Sequence, residues 1–284
     1  MSAEQPVIGV LSLQGAFEEH QECLHSVGCQ TIQVRTASDL QGLDGIVLPG
    51  GESTAMGLIG TGGKGNLWDA LRNFSREKPT WGTCAGMILL AEKCVGASAV
   101  IQDGQALIGG MNVLVCRNYF GSQISSFEMK TPAPPESSDS NPYPGIFIRA
   151  PAILSVAQDV EVLGRVVATP CRQAAVVLQE LEAKIARGEN VNMINVVDSL
   201  ERKDGEGIQY KQVKIDDSGE EKKDIEGEMK IELPGAADGS NAREVICAVR
   251  KDHTLCTAFH PELTKDYRWH AYFAGMVKEF KMKN

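Results

Sequence analysis

The chain has no excess of basic residues. It carries 28 Lys and Arg against 37 Asp and Glu, a net charge of −9 with a pI near 5.2. Phosphate backbones and anionic membrane surfaces are recognised by basic patches, so neither nucleic acid nor a membrane surface is expected as a partner. No run of about 18 apolar residues is present, which excludes an ordinary transmembrane helix. The N-terminal stretch MSAEQPVIGVLSLQG lacks a basic n-region, so no signal peptide is expected and the cytosol is the expected compartment. The 8 cysteines form no CxxC pair, and a disulfide framework is not expected in a chain of this size. The segment HQECLHSVGC holds His20, Cys23, His25 and Cys29, but its spacing matches no usual zinc pattern. It is read as ordinary packing of an amphipathic helix, with no metal. No GxGxxG follows the first apolar run, which removes the dinucleotide fingerprint. The segment GLIGTGGKGN (57–66) only approximates a phosphate loop, because Lys64 is followed by Gly65 and not by Ser or Thr. It is read as a flexible turn, and no cofactor is expected.

What remains is an ordinary globular composition, 43% hydrophobic and 23% charged, over 284 residues. A single domain spanning 1–284 is expected. VIGVLSL (7–13) is a continuous apolar run of the kind a strand buried on both faces shows. AFEEHQECLHSVG then has helical spacing, with Phe17, Leu24 and Val27 on one face and Gly28 as a stop. Strands follow at 29–35 and 45–51, a helix at 67–78, a strand in PTWGTC and a helix over AGMILLAEKCVG. Strand–helix alternation calls for an α/β fold, a mostly parallel sheet flanked by helices. Later segments are richer in strands, with a hairpin at KDHT between VICAV and LCTAF. Residues 170–243 differ: a helix over QAAVVLQELEAKIARG, then a stretch dense in charge, Gly and Ser. That composition predicts a mobile insertion, either a solvated loop or a docking arm.

In open parallel sheets ligands bind where the strands end, and both PGGES and GTCAG fall at such ends. In GTCAG, Cys84 stands between residues small enough for a sharp strand-to-helix turn. Such a turn raises a side chain into the cleft, points the following N–H groups at an oxyanion and favours thiolate over thiol. The glycines could equally serve close packing around a buried thiol. A cysteine nucleophile needs a base, and the base an orienting group. His260 and Glu262 in AFHPELT follow an apolar strand, and in extended chain residues i and i+2 project to the same side. Pro261 is expected to keep the stretch from becoming helix.

With GVLSLQGAFEEH, LPGGEST, WGTCAGMILLA, RNYFGSQISSFE, GIFIRAP and AFHPELT in this order, the chain resembles the glutaminase subunits of two-component pyridoxal 5′-phosphate synthase. These form the PdxT/SNO family of class I glutamine amidotransferases. The resemblance covers about 7–169 and 244–280. It implies the flavodoxin-like architecture of that class and a catalytic triad of Cys84, His260 and Glu262. It also implies L-glutamine contacts from Gly51, Glu52, Ser53, Arg117, Ile148 and Arg149. Backbone N–H groups of Gly50, Gly51 and Ala85 would hold the oxyanion. Free glutamine carries a carboxylate and an ammonium, which suit a guanidinium and acceptor groups, although either arginine could instead serve a structural ion pair. The implied partner is a (β/α)8-barrel synthase subunit that receives ammonia. Gln14 is placed near the oxyanion loop or the partner. Three other readings stay open at this point: a different ammonia-consuming partner, a cysteine peptidase or redox sensor of the same architecture, and a silent regulatory subunit.

Overall fold

The computed structural model describes residues 5–62, 66–96, 106–121, 126–188, 233–235 and 241–284. In chain order the first half runs β1 (Val7–Leu11), α1 (Phe17–Ser26), β2 (Gln30–Val34), β3 (Gly45–Leu48), α2 (Ser53–Gly62), α3 (Leu67–Glu77), β4 (Thr80–Thr83) and α4 (Ala85–Leu90). There follow β5 (Ala91–Val95), β6 (Met111–Cys116), β7 (Phe127–Thr131), β8 (Tyr143–Phe147), β9 (Ala152–Val156) and β10 (Glu161–Ala168). The chain closes with α5 (Arg172–Ala186), β11 (Arg243–Lys251), β12 (Thr254–Thr257) and α6 (Arg268–Lys283).

The main sheet has the order β2-β1-β3-β4-β12-β11-β9-β6-β5, with β10 paired to β11. From β2 to β12 every neighbour is parallel; Ile8 lies opposite Thr31 and Gly45, Val47 opposite Trp81, and Cys256 opposite Gly82. Strands β3, β4 and β12 are buried at every position, as expected of parallel strands covered on both faces. Beyond β12 the sheet turns antiparallel, except for the parallel pair β5–β6. The β11–β12 hairpin turns at Asp252-His253, with Lys251 facing Thr254 and Asp252 at φ 51°. The small β7–β8 sheet stands apart. Helix α1 packs on α6, and α2 packs on both α3 and α4.

Two local expectations change. The helix expected over 85–96 ends at Leu90, and AEKCV becomes β5, paired with β6. Burial of Cys94 and Val95 in the sheet outweighs the helical preference of Ala91, Glu92 and Lys93. The turn expected at 57–66 is helical as far as Gly62, with 63–65 outside the described residues. Glu52 explains this: its carboxylate accepts from Thr54 N (3.1 Å) and Ala55 N (2.7 Å), capping α2. Gly60 then lets α2 lie against Trp68, since a Cβ there would overlap the indole. The helix expected early in 170–243 is present as α5; its buried Ala174, Val177, Leu178 and Leu181 form one helical stripe. Most of the charged remainder, 189–232 and 236–240, lies outside the described residues.

Candidate active site

Four adjacent parallel strands, β1, β3, β4 and β12, end on one side of the sheet, and each hands one predicted residue group to the same place. β1 leads to Gln14, β3 to Gly50–Ser53, β4 to Cys84 and β12 to His260.

Cys84 has φ 47° and ψ −101°, a conformation L-residues rarely adopt. Its N–H donates to Thr257 O at 2.8 Å and its carbonyl accepts from Ile88 N at 3.2 Å, so strand and helix both grip the turn. The second glycine of GTCAG is required by close approach: a Cβ on Gly86 would overlap the Leu48 carbonyl. The residue is only 5% exposed, which shelters the sulfur from bulk water.

His260 is held by its N–H, which donates to Ile146 O at 2.8 Å. Its ring packs against Gly50, where any Cβ would overlap Cε1. Nδ1 lies 2.8 Å from Glu262 Oε1, and Nε2 has no hydrogen bond of good geometry among the described residues. Burial pushes the imidazole pKa down, but Cys84, by charge and hydrogen bonding, and Glu262 together raise it well above 6.5. Burial pushes the Glu262 carboxyl up, yet the His20 and His260 rings on its two sides bring it below its ordinary value.

The backbone route to this pair differs from the expected one. Pro261–Leu263 forms a turn of 3-10 helix with Pro261 at its first position, rather than extended chain. Proline is well suited to a first helical position because its missing N–H is not needed there. Tyr143 Oη braces the turn, lying 2.8 Å from Thr264 Oγ1 and 3.0 Å from Asp266 O.

Of the predicted substrate groups, Glu52, Ser53 and Arg117 meet at the loop after β3. Glu52 N donates to Gln14 Oε1 at 2.6 Å, which bears out the expected contact of Gln14 with this loop. Ala16 N donates to Gly50 O at 3.3 Å. Arg117 is buried; its Nη2 donates to Ser53 Oγ (3.1 Å) and Thr54 Oγ1 (3.0 Å) and lies 3.6 Å from Glu52 Oε1. Arg149 is exposed at φ 47°, and its charge is close enough to act on Arg117. Ile148 beside it is half-buried. Ala85 opens α4 immediately after the sulfur.

Three neighbours of this site were missed by sequence reasoning: His20, Thr83 and His270. His20 Nε2 lies 3.3 Å from Glu262 Oε2 and 3.1 Å from Thr83 Oγ1, and Nδ1 lies 3.0 Å from His270 Nε2. The available signal was helical spacing, since His20, Cys23 and Leu24 form the buried stripe of α1. His25 points outward to Thr31, and among the described residues no group of three or more His, Cys, Asp or Glu could hold a metal ion. No described helix is long and apolar enough to cross a membrane. A separate cavity of about 310 Å³ between 134–138 and α6 contains none of the predicted residues. Its arginines are already engaged, Arg268 by Asp266 and Arg250 by Tyr272 Oη.

The mostly parallel sheet flanked by helices has the architecture of a glutamine amidotransferase. A solved structure described as a glutamine amidotransferase superposes with a TM-score of 0.59 at 27% identity, covering 95% of this chain and 98% of that one. The model of the SNO glutamine amidotransferase family matches residues 10–204, and the chain belongs to that family. Among its relatives, the probable pyridoxal 5′-phosphate synthase subunit PDX2 of Arabidopsis thaliana is 37% identical, over 96% of this chain and 87% of that protein. The pyridoxal 5′-phosphate synthase subunit PdxT of Bacillus cytotoxicus is 34% identical, over 97% of both. The probable subunit pdx2 of Dictyostelium discoideum is 31% identical, over 95% of this chain and 92% of that protein.

Proposed function

We propose that the chain hydrolyses L-glutamine to L-glutamate and ammonia, and passes the ammonia to a synthase subunit that makes pyridoxal 5′-phosphate. One observation carries the catalytic reading. A cysteine in a strained strand-to-helix turn and an imidazole whose Nδ1 lies 2.8 Å from a buried carboxylate stand at the ends of the paired strands β4 and β12. The subunit names of relatives matched along nearly the whole chain support the synthase partner, for which a (β/α)8 barrel is the proposed form.

In this mechanism the Cys84 thiolate attacks the side-chain carbonyl carbon of glutamine. The oxyanion is taken up by the backbone N–H groups of Ala85 and the Gly50-Gly51 loop. His260, having taken the thiol proton, returns it to the nitrogen as the C–N bond breaks, and ammonia leaves behind a glutamyl thioester. Water, deprotonated by His260, then attacks the thioester; the C–S bond breaks and glutamate departs. Glu262 keeps the Nδ1 proton of His260 in place, so that Nε2 faces the sulfur. Gly51, Glu52, Ser53, Arg117, Ile148 and Arg149 bind the amino-acid end, with the paired positive charges suited to its α-carboxylate. Bulk water would protonate free ammonia and remove its nucleophilicity, so direct transfer to the partner follows from the chemistry. Glutamate release measured with and without the synthase subunit tests this reading. No glutamate in either case would remove it.

A further inference from the structure

Glu262 is fully buried, yet only one of its oxygens is well bonded. Oε1 lies 2.8 Å from His260 Nδ1; Oε2 has no hydrogen bond of good geometry among the described residues, and its neighbour is His20 Nε2 at 3.3 Å. A buried carboxylate is costly unless both oxygens meet donors. His20 is itself completely buried and belongs to a different part of the chain, on α1. Its Nε2 also reaches Thr83 Oγ1 at 3.1 Å, and Thr83 is the residue before Cys84. His20 therefore touches both the carboxylate and the strand end that carries the thiol.

The ring nitrogens constrain one another. For His20 to present a hydrogen to Thr83 and Glu262, that hydrogen must be on Nε2, which leaves Nδ1 as a lone pair. The partner of Nδ1 is His270 Nε2 at 3.0 Å, so His270 must be the donor there. His270 Nδ1, buried and without a hydrogen-bond partner among the described residues, is then the bare nitrogen. Trp81 closes the assembly edge-on, with ring centroids 5.6 Å from His20 and 5.0 Å from His270. The charged and titratable groups acting on His20 are Glu262 and His260 from the β12–α6 connection, Glu19 on its own helix, and His270 on α6.

We infer that His20 is the positioning residue of the Glu262 carboxylate, and that His270 acts only through His20 by fixing which of its nitrogens carries the proton. The catalytic unit thus extends from Cys84 through His260 and Glu262 to His20 and His270. This inference rests on the reading of His260 and Glu262 as base and orienting group.

The test uses the full chain with its synthase subunit and four variants: His20→Leu, His20→Gln, His270→Leu and the double His20→Gln/His270→Leu. Two quantities are measured: glutaminase kinetics, and peptide-resolved alkylation of Cys84 against pH. Alkylation does not require glutamine to be the substrate, so it separates failure of this inference from failure of the functional reading. His20→Leu is expected to lower kcat about 10- to 100-fold, the scale of losing a supporting partner, with KM within about twofold. Its Cys84 alkylation midpoint should move upward by about one pH unit as the imidazolium loses its support. His20→Gln, which keeps an N–H near the Nε2 position, should retain most of the activity. His270→Leu should lose activity alone and lose nothing further in the His20→Gln background. The inference is overturned if His20→Gln is as damaged as His20→Leu, if the His270 loss adds in full, or if the alkylation midpoint stays fixed. Should His20→Leu fail to fold, the comparison of His20→Gln with the double variant decides alone.

Discussion

Gly50 and His260 are in direct contact: the imidazole occupies the space beside the glycine where any side chain would begin. The loop offered for the oxyanion and the ring offered as the base are therefore one packed unit. Gly50→Ala should push the ring away from Cys84. A displacement of about 1 Å commonly costs about 100-fold in rate, so kcat should fall by that order, and the overpacking should cost about 1–3 kcal/mol of stability. Steady-state kinetics and a melting curve on the same sample check this, and wild-type turnover would contradict it.

Cys84 is both the proposed nucleophile and the strained residue of its turn. Cys84→Ala should abolish glutamate release and leave assembly with the synthase subunit intact. Cys84→Gly should be equally inactive yet more stable than Cys84→Ala, because glycine adopts φ 47°, ψ −101° more readily. The difference should be about 1–2 kcal/mol, within the usual range for a strained backbone position. Denaturant unfolding of the two variants measures it; equal stability would mean that the turn holds no strain.

Arg117 Nη2 holds Ser53 and Thr54 at the start of α2 through two hydrogen bonds. Lysine carries the charge on a compact, strongly hydrated ammonium that is held less well at this buried position. Arg117→Lys should raise KM for glutamine about 10-fold or more, an energy near 1.4 kcal/mol, with a smaller change in kcat. An unchanged KM would remove Arg117 from the substrate loop.

The buried histidines make the fold sensitive to acid. Burial, with the charge of His20 adding to it, lowers the His270 pKa well below 6.5. Below the unfolded value of 6.5 the unfolded chain binds a proton that the native ring does not, so the His270 contribution to stability falls as pH drops. Burial likewise lowers His20, against the pull of Glu262. Replacing His270 by Leu should flatten the loss of stability between about pH 6.5 and 4.5. Urea midpoints across that range test it, and an unchanged slope would show that the ring is not the acid-sensitive group.

Much of this molecule was open to one-dimensional reading because its signals are local. Apolar runs marked β1, β3 and β4, helical spacing marked α1, α3 and α5, and the small residues of GTCAG marked the turn at Cys84. Neighbouring residues impose such features, so the sequence carries them openly. The length of α4 was not local: Leu90 ends the helix because the next residues pair with β6, whose partner residues begin at Met111. Nor was the helical start of α2, which depends on the Glu52 cap and on Trp68 fitting over Gly60. His260 and Glu262 were legible as a pair, although a 3-10 turn and not extended chain brings them together.

By itself the sequence determined which groups could do chemistry: a thiol between small residues, an imidazole two positions from a carboxylate, and a glycine loop beside a strand end. Only the tertiary structure decided what surrounds them. His20 and His270 are 250 residues apart in the chain and 3.0 Å apart in space. That contact exists because α1 and α6 pack together; the periodicity of each segment marks a buried face but not which distant helix will cover it.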